Sequence, residues 1–255
     1  MFLVDANRDI FQSLATGRRY VEIGVYRGFY ARGVKACRPA QMCLIDPWHP
    51  ADMSDLIPAD YVGDPVAPLL ETFAPYYPGG LEAALEQAFR EVSAEFGADP
   101  QCRILRATSA QACDDFAPGS IDLLYIDGNH RYDFVLADLG RWSSKVASDG
   151  QIILNDCYVS PIGKRQHISV LEAVSTFIKL SDWRAAALVN RPFTDIVLTR
   201  EAQISQVAGQ LKRLFMAKRA SFLELPAALI HALSHKVMRV EIQGQATLRE
   251  YMSFG

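Results

Sequence analysis

Three apolar runs in this 255-residue chain end in residues whose types and spacing could do chemistry. The first is Val21-Glu22-Ile23-Gly24-Val25-Tyr26-Arg27-Gly28, which closes on an acid and two spaced glycines. Glycine lets backbone approach a ligand where a Cβ would clash. Leu44-Ile45-Asp46 follows, and an acid at that remove accepts hydrogen bonds from ribose hydroxyls. The second run is Tyr125-Ile126-Asp127-Gly128-Asn129-His130, and the third is Ile152-Ile153-Leu154-Asn155-Asp156. A nucleoside site is expected at the first. Proton transfer or cation binding is expected at the other two.

The glycine spacing separates two cofactors. A dinucleotide loop wants Gly-x-Gly-x-x-Gly, whose amides hold a pyrophosphate. Here the pattern is Glu-x-Gly-x-x-x-Gly, with Val25 and Tyr26 where the tightest glycine would sit. Glu22 is a poor companion for a diphosphate and a good one for an ammonium group. S-adenosyl-L-methionine has an amino-acid tail, a ribose and a sulfonium, and no phosphate. The competing reading of Gly24 and Gly28 is a tight turn without a ligand.

Adjacent parallel strands lie about 4.8 Å apart, so Asp127, Asn155 and Asp156 could converge on one hard cation such as Mg2+ or calcium. Alternatively Asp156 caps a loop and Asp127 contacts cofactor or backbone. His130 is the candidate general base, since an imidazole of pKa about 6.5 accepts a proton near neutrality. A structural role beside Arg131 and Tyr132 is the other possibility. His49 and His167 are second choices, and His231 and His235 are expected to share a helical surface without forming a metal site.

With these residues in this order the chain resembles the class I S-adenosylmethionine-dependent methyltransferases over about residues 18–200. The nearest group is the metal-dependent O-methyltransferases typified by macrocin O-methyltransferase. That resemblance implies that Glu22, Gly24, Tyr26 and Gly28 shape the methionine end of the cofactor and that Asp46 holds the ribose. It also implies that Trp48 and the Ala107-Thr108-Ser109 turn border the adenine. The group pairs a strand-end Asp-x-x-His with a later acidic dyad. Asp127 and His130 match the first part, whereas Asn155 replaces one acid of the dyad.

Alternating elements must position these groups. Strands are expected at Tyr20–Ile23, Met42–Ile45, Arg103–Leu105, Ile121–Ile126 and Gln151–Leu154. A terminal hairpin of Trp183–Val189 and Phe193–Leu198 follows. Helices are expected at residues 5–19, Tyr26–Ala36, Leu81–Phe96, Ser109–Phe116, Tyr132–Trp142 and Val170–Leu180. Such alternation implies an α/β, doubly wound and mostly parallel sheet. Seven strands in the order 3-2-1-4-5-7-6 are expected, with only the hairpin breaking the parallel run. The proline-rich segment 47–80 reads as a substrate lid or a surface insertion. Residues 1–200 form the expected cofactor domain. Residues 201–255 form a helical appendage, Ile204–Arg219 and Ala227–Val240, which packs on that domain or on a second copy.

Composition bounds the rest. Half of the residues are hydrophobic and 22% are charged, and the net charge is −3. Nothing there suggests a nucleic-acid or membrane binder. Five scattered cysteines without a Cys-x-x-Cys fit reduced thiols in the cytoplasm. No membrane span and no leader are expected. The expected activity is O-methylation of a small hydroxylated acceptor, sugar-like or glycosylated. The alternative is a non-catalytic cofactor-binding scaffold in a glycan-modifying assembly. A nicotinamide-dependent oxidoreductase is disfavoured by the glycine spacing. Methylation of a flipped base is disfavoured by the lack of an Asn/Asp-Pro-Pro-Tyr motif.

Overall fold

The computed structural model describes residues 1–49, 77, 79–157, 169–191, 194–242 and 245–254. Most of the expected lid falls on residues 50–76 and 78, outside the described residues. So do residues 158–168, with Pro161, Gly163, Lys164, Arg165 and His167, and the start of the second hairpin strand at Phe193.

Nine strands form one sheet among the described residues. They are β1 (Phe2–Asp5), β2 (Arg19–Ile23), β3 (Gln41–Asp46), β4 (Cys102–Arg106), β5 (Ile121–Ile126), β6 (Val146–Leu154), β7 (Trp183–Val189), β8 (Ile196–Arg200) and β9 (Ser221–Glu224). Their order is β4-β3-β2-β5-β6-β8-β7-β1-β9. The first seven keep the relative order 3-2-1-4-5-7-6, but the expected count of seven is corrected to nine. Beyond the β7–β8 hairpin lies β1, parallel to β7, and then β9, antiparallel to β1. The hairpin is thus not the sole departure from parallel order.

Near-continuous apolar runs such as Ile121-Asp122-Leu123-Leu124-Tyr125-Ile126 make strands that are covered on both faces. Side chains alternate between two cores, as the pleat requires. Leu124 and Ile126 join Val21, Ile23, Ile45 and Trp142 on one face, and an irregularity between Ile121 and Leu123 brings Ile121 to that face too. Leu123 and Tyr125 join Tyr20, Leu44, Phe11 and Phe96 on the other.

The helices are α1 (Phe29–Ala36), α2 (Leu81–Phe96), α3 (Ser109–Ala112), α4 (Tyr132–Trp142), α5 (Val170–Leu180) and α6 (Ile204–Ala217). Helix α1 starts three residues later than expected because Gly28, at φ 72°, turns left-handed at its N-cap. In place of the first expected helix stand β1 and a 3-10 segment, Arg8–Ala15. Phe2 and Val4 are buried, and Phe2 meets Phe215 and Phe222 edge to face at 5.8 and 5.5 Å.

The C-terminal expectation needs the largest correction. Helix α6 buries Val207, Leu211 and Phe215 in the core of the main sheet. The second expected helix, Ala227–Val240, is a 3-10 segment, Ala227–Ala232, followed by strand β10 (Leu233–Ile242). Strand β10 pairs antiparallel with β11 (Gln245–Phe254). His231 and His235 do not share a helical face, and His231 Nδ1 instead lies 2.5 Å from Ser175 Oγ. Among the described residues no helix is long and apolar enough to cross a membrane. All five cysteines are free thiols.

Candidate active site

The parallel strands end together, and their ladder continues one residue past each strand. Gly24 donates its N–H to the Ile45 carbonyl at 2.9 Å, and Asp127 to Ile23 at 2.8 Å. Asn155 donates to Ile126 at 3.0 Å. Gly24, Asp127 and Asn155 thus stand side by side. Gly24, at φ 85°, lies so close to Asp127 that an added Cβ would sit 1.9 Å from the Asp127 carbonyl oxygen. Only glycine fits there.

These ends face a cavity of about 650 Å³. Glu22, Gly24, Tyr26, Asp46, Thr108, Ser109, Asp127, His130, Asn155 and Asp156 all line it. Gly28 and Trp48 do not. Gly28 caps α1 against Phe96, and Trp48 is buried with its indole N–H donated to the Tyr26 carbonyl at 2.7 Å. Trp48 therefore holds the glycine turn from behind. Tyr26, Trp48 and Asp156 take left-handed φ angles of 47°, 44° and 51°. Such backbone costs about 1–3 kcal/mol per residue and concentrates at ligand sites.

Glu22 is buried and accepts the Tyr20 hydroxyl at 2.7 Å. Burial pushes its carboxyl up to about 8, although the Tyr20 hydrogen bond and Arg8 pull the other way. Asp46 accepts the N–H of Tyr26 at 2.9 Å and of Trp48 at 2.7 Å. Burial raises its pKa, and those backbone donors oppose the rise. Both acids keep lone pairs for a ligand.

At the far end of the cavity Thr108 forms a capping box with Gln111, so its side chain is spent on helix α3. Ser109 donates to Asp138 Oδ1 at 2.5 Å and accepts the Trp142 indole N–H at 2.8 Å. Asp138 lines the cavity, and burial lifts its pKa to about 6. Sequence reading missed it, although an acid among Val135, Leu139 and Trp142 on the buried face of α4 was a signal.

Asp127 sits between two basic side chains. Arg8 Nη1 lies 3.0 Å from Asp127 Oδ2, and His130 Nε2 lies 3.3 Å from Asp127 Oδ1. His130 Nε2 is also 4.0 Å from Asp156 Oδ2. Arg8 further donates to the Tyr125 hydroxyl at 3.2 Å and lies over the Tyr30 ring, 5.4 Å from its centroid. Tyr30 and Tyr125 stack at 4.0 Å. Burial opposes the charge on Arg8, but Tyr125, Asp127 and Asp195 outweigh it and raise its pKa. Behind Arg8, fully buried Asp195 accepts the Asn155 amide at 2.8 Å and the Tyr125 hydroxyl at 3.3 Å. Burial lifts Asp195 well above the carboxylate range. Arg8 and Asp195 come from distant segments and carried no local signal in the sequence.

The expected cation set does not fit a hard metal. Asp127 Oδ2 already has a guanidinium, and the Asn155 amide is turned to Asp195. Among the described residues no group of three or more His, Cys, Asp or Glu is placed to hold a metal ion. Asp127, Asn155 and Asp156 do meet at one edge, but the positive charge beside Asp127 comes from the protein.

Comparison with known proteins supplies the family. The uncharacterized protein y4gI of Sinorhizobium fredii is 38% identical over 61 residues. That stretch is 24% of this chain and 7% of the relative, so the chain spans only a small part of that protein. The fold is also similar to the ribosomal protein L11 methylase of Lactobacillus delbrueckii subsp. bulgaricus, at a TM-score of 0.43 and 12% identity. That likeness covers 78% of this chain and 81% of the other. The O-methyltransferase TomG of Streptomyces achromogenes gives a TM-score of 0.45 and 12% identity, covering 75% of this chain and 77% of TomG. Residues 21–157, from the strand that carries Glu22 to the turn after Asp156, match the family described as Methyltransferase domain (Methyltransf_24). That match spans more than half of the chain, and the protein belongs to this methyltransferase domain family.

Proposed function

We propose that this protein transfers the methyl group of S-adenosylmethionine to a hydroxyl oxygen of a small acceptor, sugar-like or glycosylated. The observation that carries the reading is the contact of Gly24 with the Asp127 backbone. It makes the glycine turn and the Asp127–His130 pair walls of one cavity. Glu22 at the turn suits the ammonium of the methionine tail, Asp46 the ribose, and the Ala107–Ser109 turn with Asp138 the adenine.

Methyl transfer breaks the S–CH3 bond, whose electron pair returns to sulfur and discharges the sulfonium. The acceptor oxygen supplies the pair for the new O–CH3 bond. Its proton passes to His130, and Asp127 stabilises the imidazolium from 3.3 Å. The protein's main contribution is holding oxygen, carbon and sulfur in line. No step needs a metal. We place the reaction in the cytoplasm, where the free thiols stay reduced.

Calorimetry with S-adenosylhomocysteine tests the cofactor, and mass spectrometry of hydroxylated acceptors after incubation with S-adenosylmethionine tests the transfer. Binding with no methylated product across sugars and glycosylated metabolites would favour the non-catalytic scaffold. No binding at all would remove both readings.

A further inference from the structure

Arg8 lies outside residues 21–157, the part of the chain that the family match covers. It nevertheless lines the cavity with Glu22, Gly24 and Asp127. Its placement is built by the two strands added to the sheet. Strand β1 is gripped between β7 and β9. The Asn190 N–H reaches Val4 at 2.9 Å, and the Met1 ammonium donates to the Leu225 carbonyl at 2.7 Å. Residues 6–8 then carry the guanidinium over the ends of β2 and β5. The Tyr30 ring beneath it and the hydrogen bond to Tyr125 hold the guanidinium there.

Four acidic side chains line the cavity near the methionine end: Glu22, Asp46, Asp127 and Asp156. The basic side chains lining the cavity are Arg8, His49, His130 and Arg141, and of these Arg8 and His130 are the two set against Asp127. A ligand with an amino-acid tail brings one ammonium and one carboxylate to this wall. Glu22 is suited to the first, and a carboxylate set among these acids needs a cation. A guanidinium is a planar cation whose N–H fork matches a carboxylate, and Arg8 brings it to the cavity wall.

We propose that Arg8 is the ion-pair partner of the donor's α-carboxylate, and that through its bond to Asp127 it positions the Asp127–His130 pair when the donor is bound. This rests on the methyl-donor reading above. It adds a binding residue at the start of the 3-10 segment that follows strand β1, and a reason for that strand to be woven into the sheet.

The test compares S-adenosylmethionine with decarboxylated S-adenosylmethionine, which differ only in that carboxylate, by calorimetry on the full-length protein. A charge-assisted hydrogen bond of this kind is worth about 10- to 100-fold in affinity. The wild type should prefer the carboxylate-bearing compound by that factor. Arg8→Met should erase the preference by weakening S-adenosylmethionine alone. Retained binding of the decarboxylated compound reports an intact site. If Arg8→Met does not fold, Arg8→Gln is read by the same ratio. A variant that keeps the wild-type preference, or weakens both compounds equally, overturns the proposal. A wild type that binds neither compound removes the donor reading and this proposal with it. Binding of both with equal affinity overturns the Arg8 assignment and leaves the donor reading standing.

Discussion

Glu22 gives the prediction that tests the cofactor reading most directly, because its protonation is tied to what it binds. In the free protein burial holds its pKa at about 8, so at pH 7 it is about nine-tenths protonated. An ammonium beside it favours the carboxylate. Binding at pH 7 should then release close to one proton. Affinity should rise about tenfold per pH unit, about 1.4 kcal/mol each, between pH 6 and 8, and level off above 8. Calorimetry with S-adenosylhomocysteine in buffers of different ionisation enthalpy counts the protons. Glu22→Gln should abolish both the release and the slope. Stability carries the same signature with the opposite sign. The folded pKa lies above the ordinary value of 4.5, so the folded chain holds the proton more tightly. That contribution is fully present below pH 4.5 and is lost as pH rises through about 8, and the Gln variant lacks the decline. A wild type that releases no proton on binding, or a Glu22→Gln variant with an unchanged slope, would refute the assignment of Glu22 to the ammonium.

Gly24→Ala should destabilise the fold by about 3 kcal/mol or more, since its Cβ meets the Asp127 carbonyl and its φ is left-handed. Thermal melts with and without S-adenosylhomocysteine measure this, and a wild-type melting temperature would mean the contact is not held. His130→Gln should lower turnover about 100-fold or more at unchanged donor affinity. Equal turnover would leave His130 a structural role only. EDTA should leave turnover unaltered. Loss of activity that magnesium restores would show that the Arg8–Asp127 pair gives way to a metal in the working enzyme.

Legibility of the fold followed the strength of local periodicity. Leu81–Phe96, Ile121–Ile126, Tyr132–Trp142 and Val170–Leu180 have the ends read from the sequence, because each buries one regular stripe or one unbroken apolar run. Phe2–Asp5 escaped notice: four residues carry too little pattern, and their partners lie more than 180 residues away. Most of β10 was read as helix because apolar residues at 227–240 satisfy a helical spacing. Val237, Val240 and Ile242 are β-branched, and pairing with Gln245–Phe254 decides for strand.

By itself the sequence determined the alternation of strands and helices, the acid-and-glycine turn and the candidate base. Each of these is a local matter of spacing and residue type. Tertiary structure alone decided which charges meet. Arg8 reaches Asp127 across 119 positions, Asn155 turns its amide to Asp195, and Asp138 stands where the Thr108–Ser109 turn had no acid. Electrostatic energy depends on distance and burial, and only the folded sheet brings these side chains within 3 Å and takes them out of water.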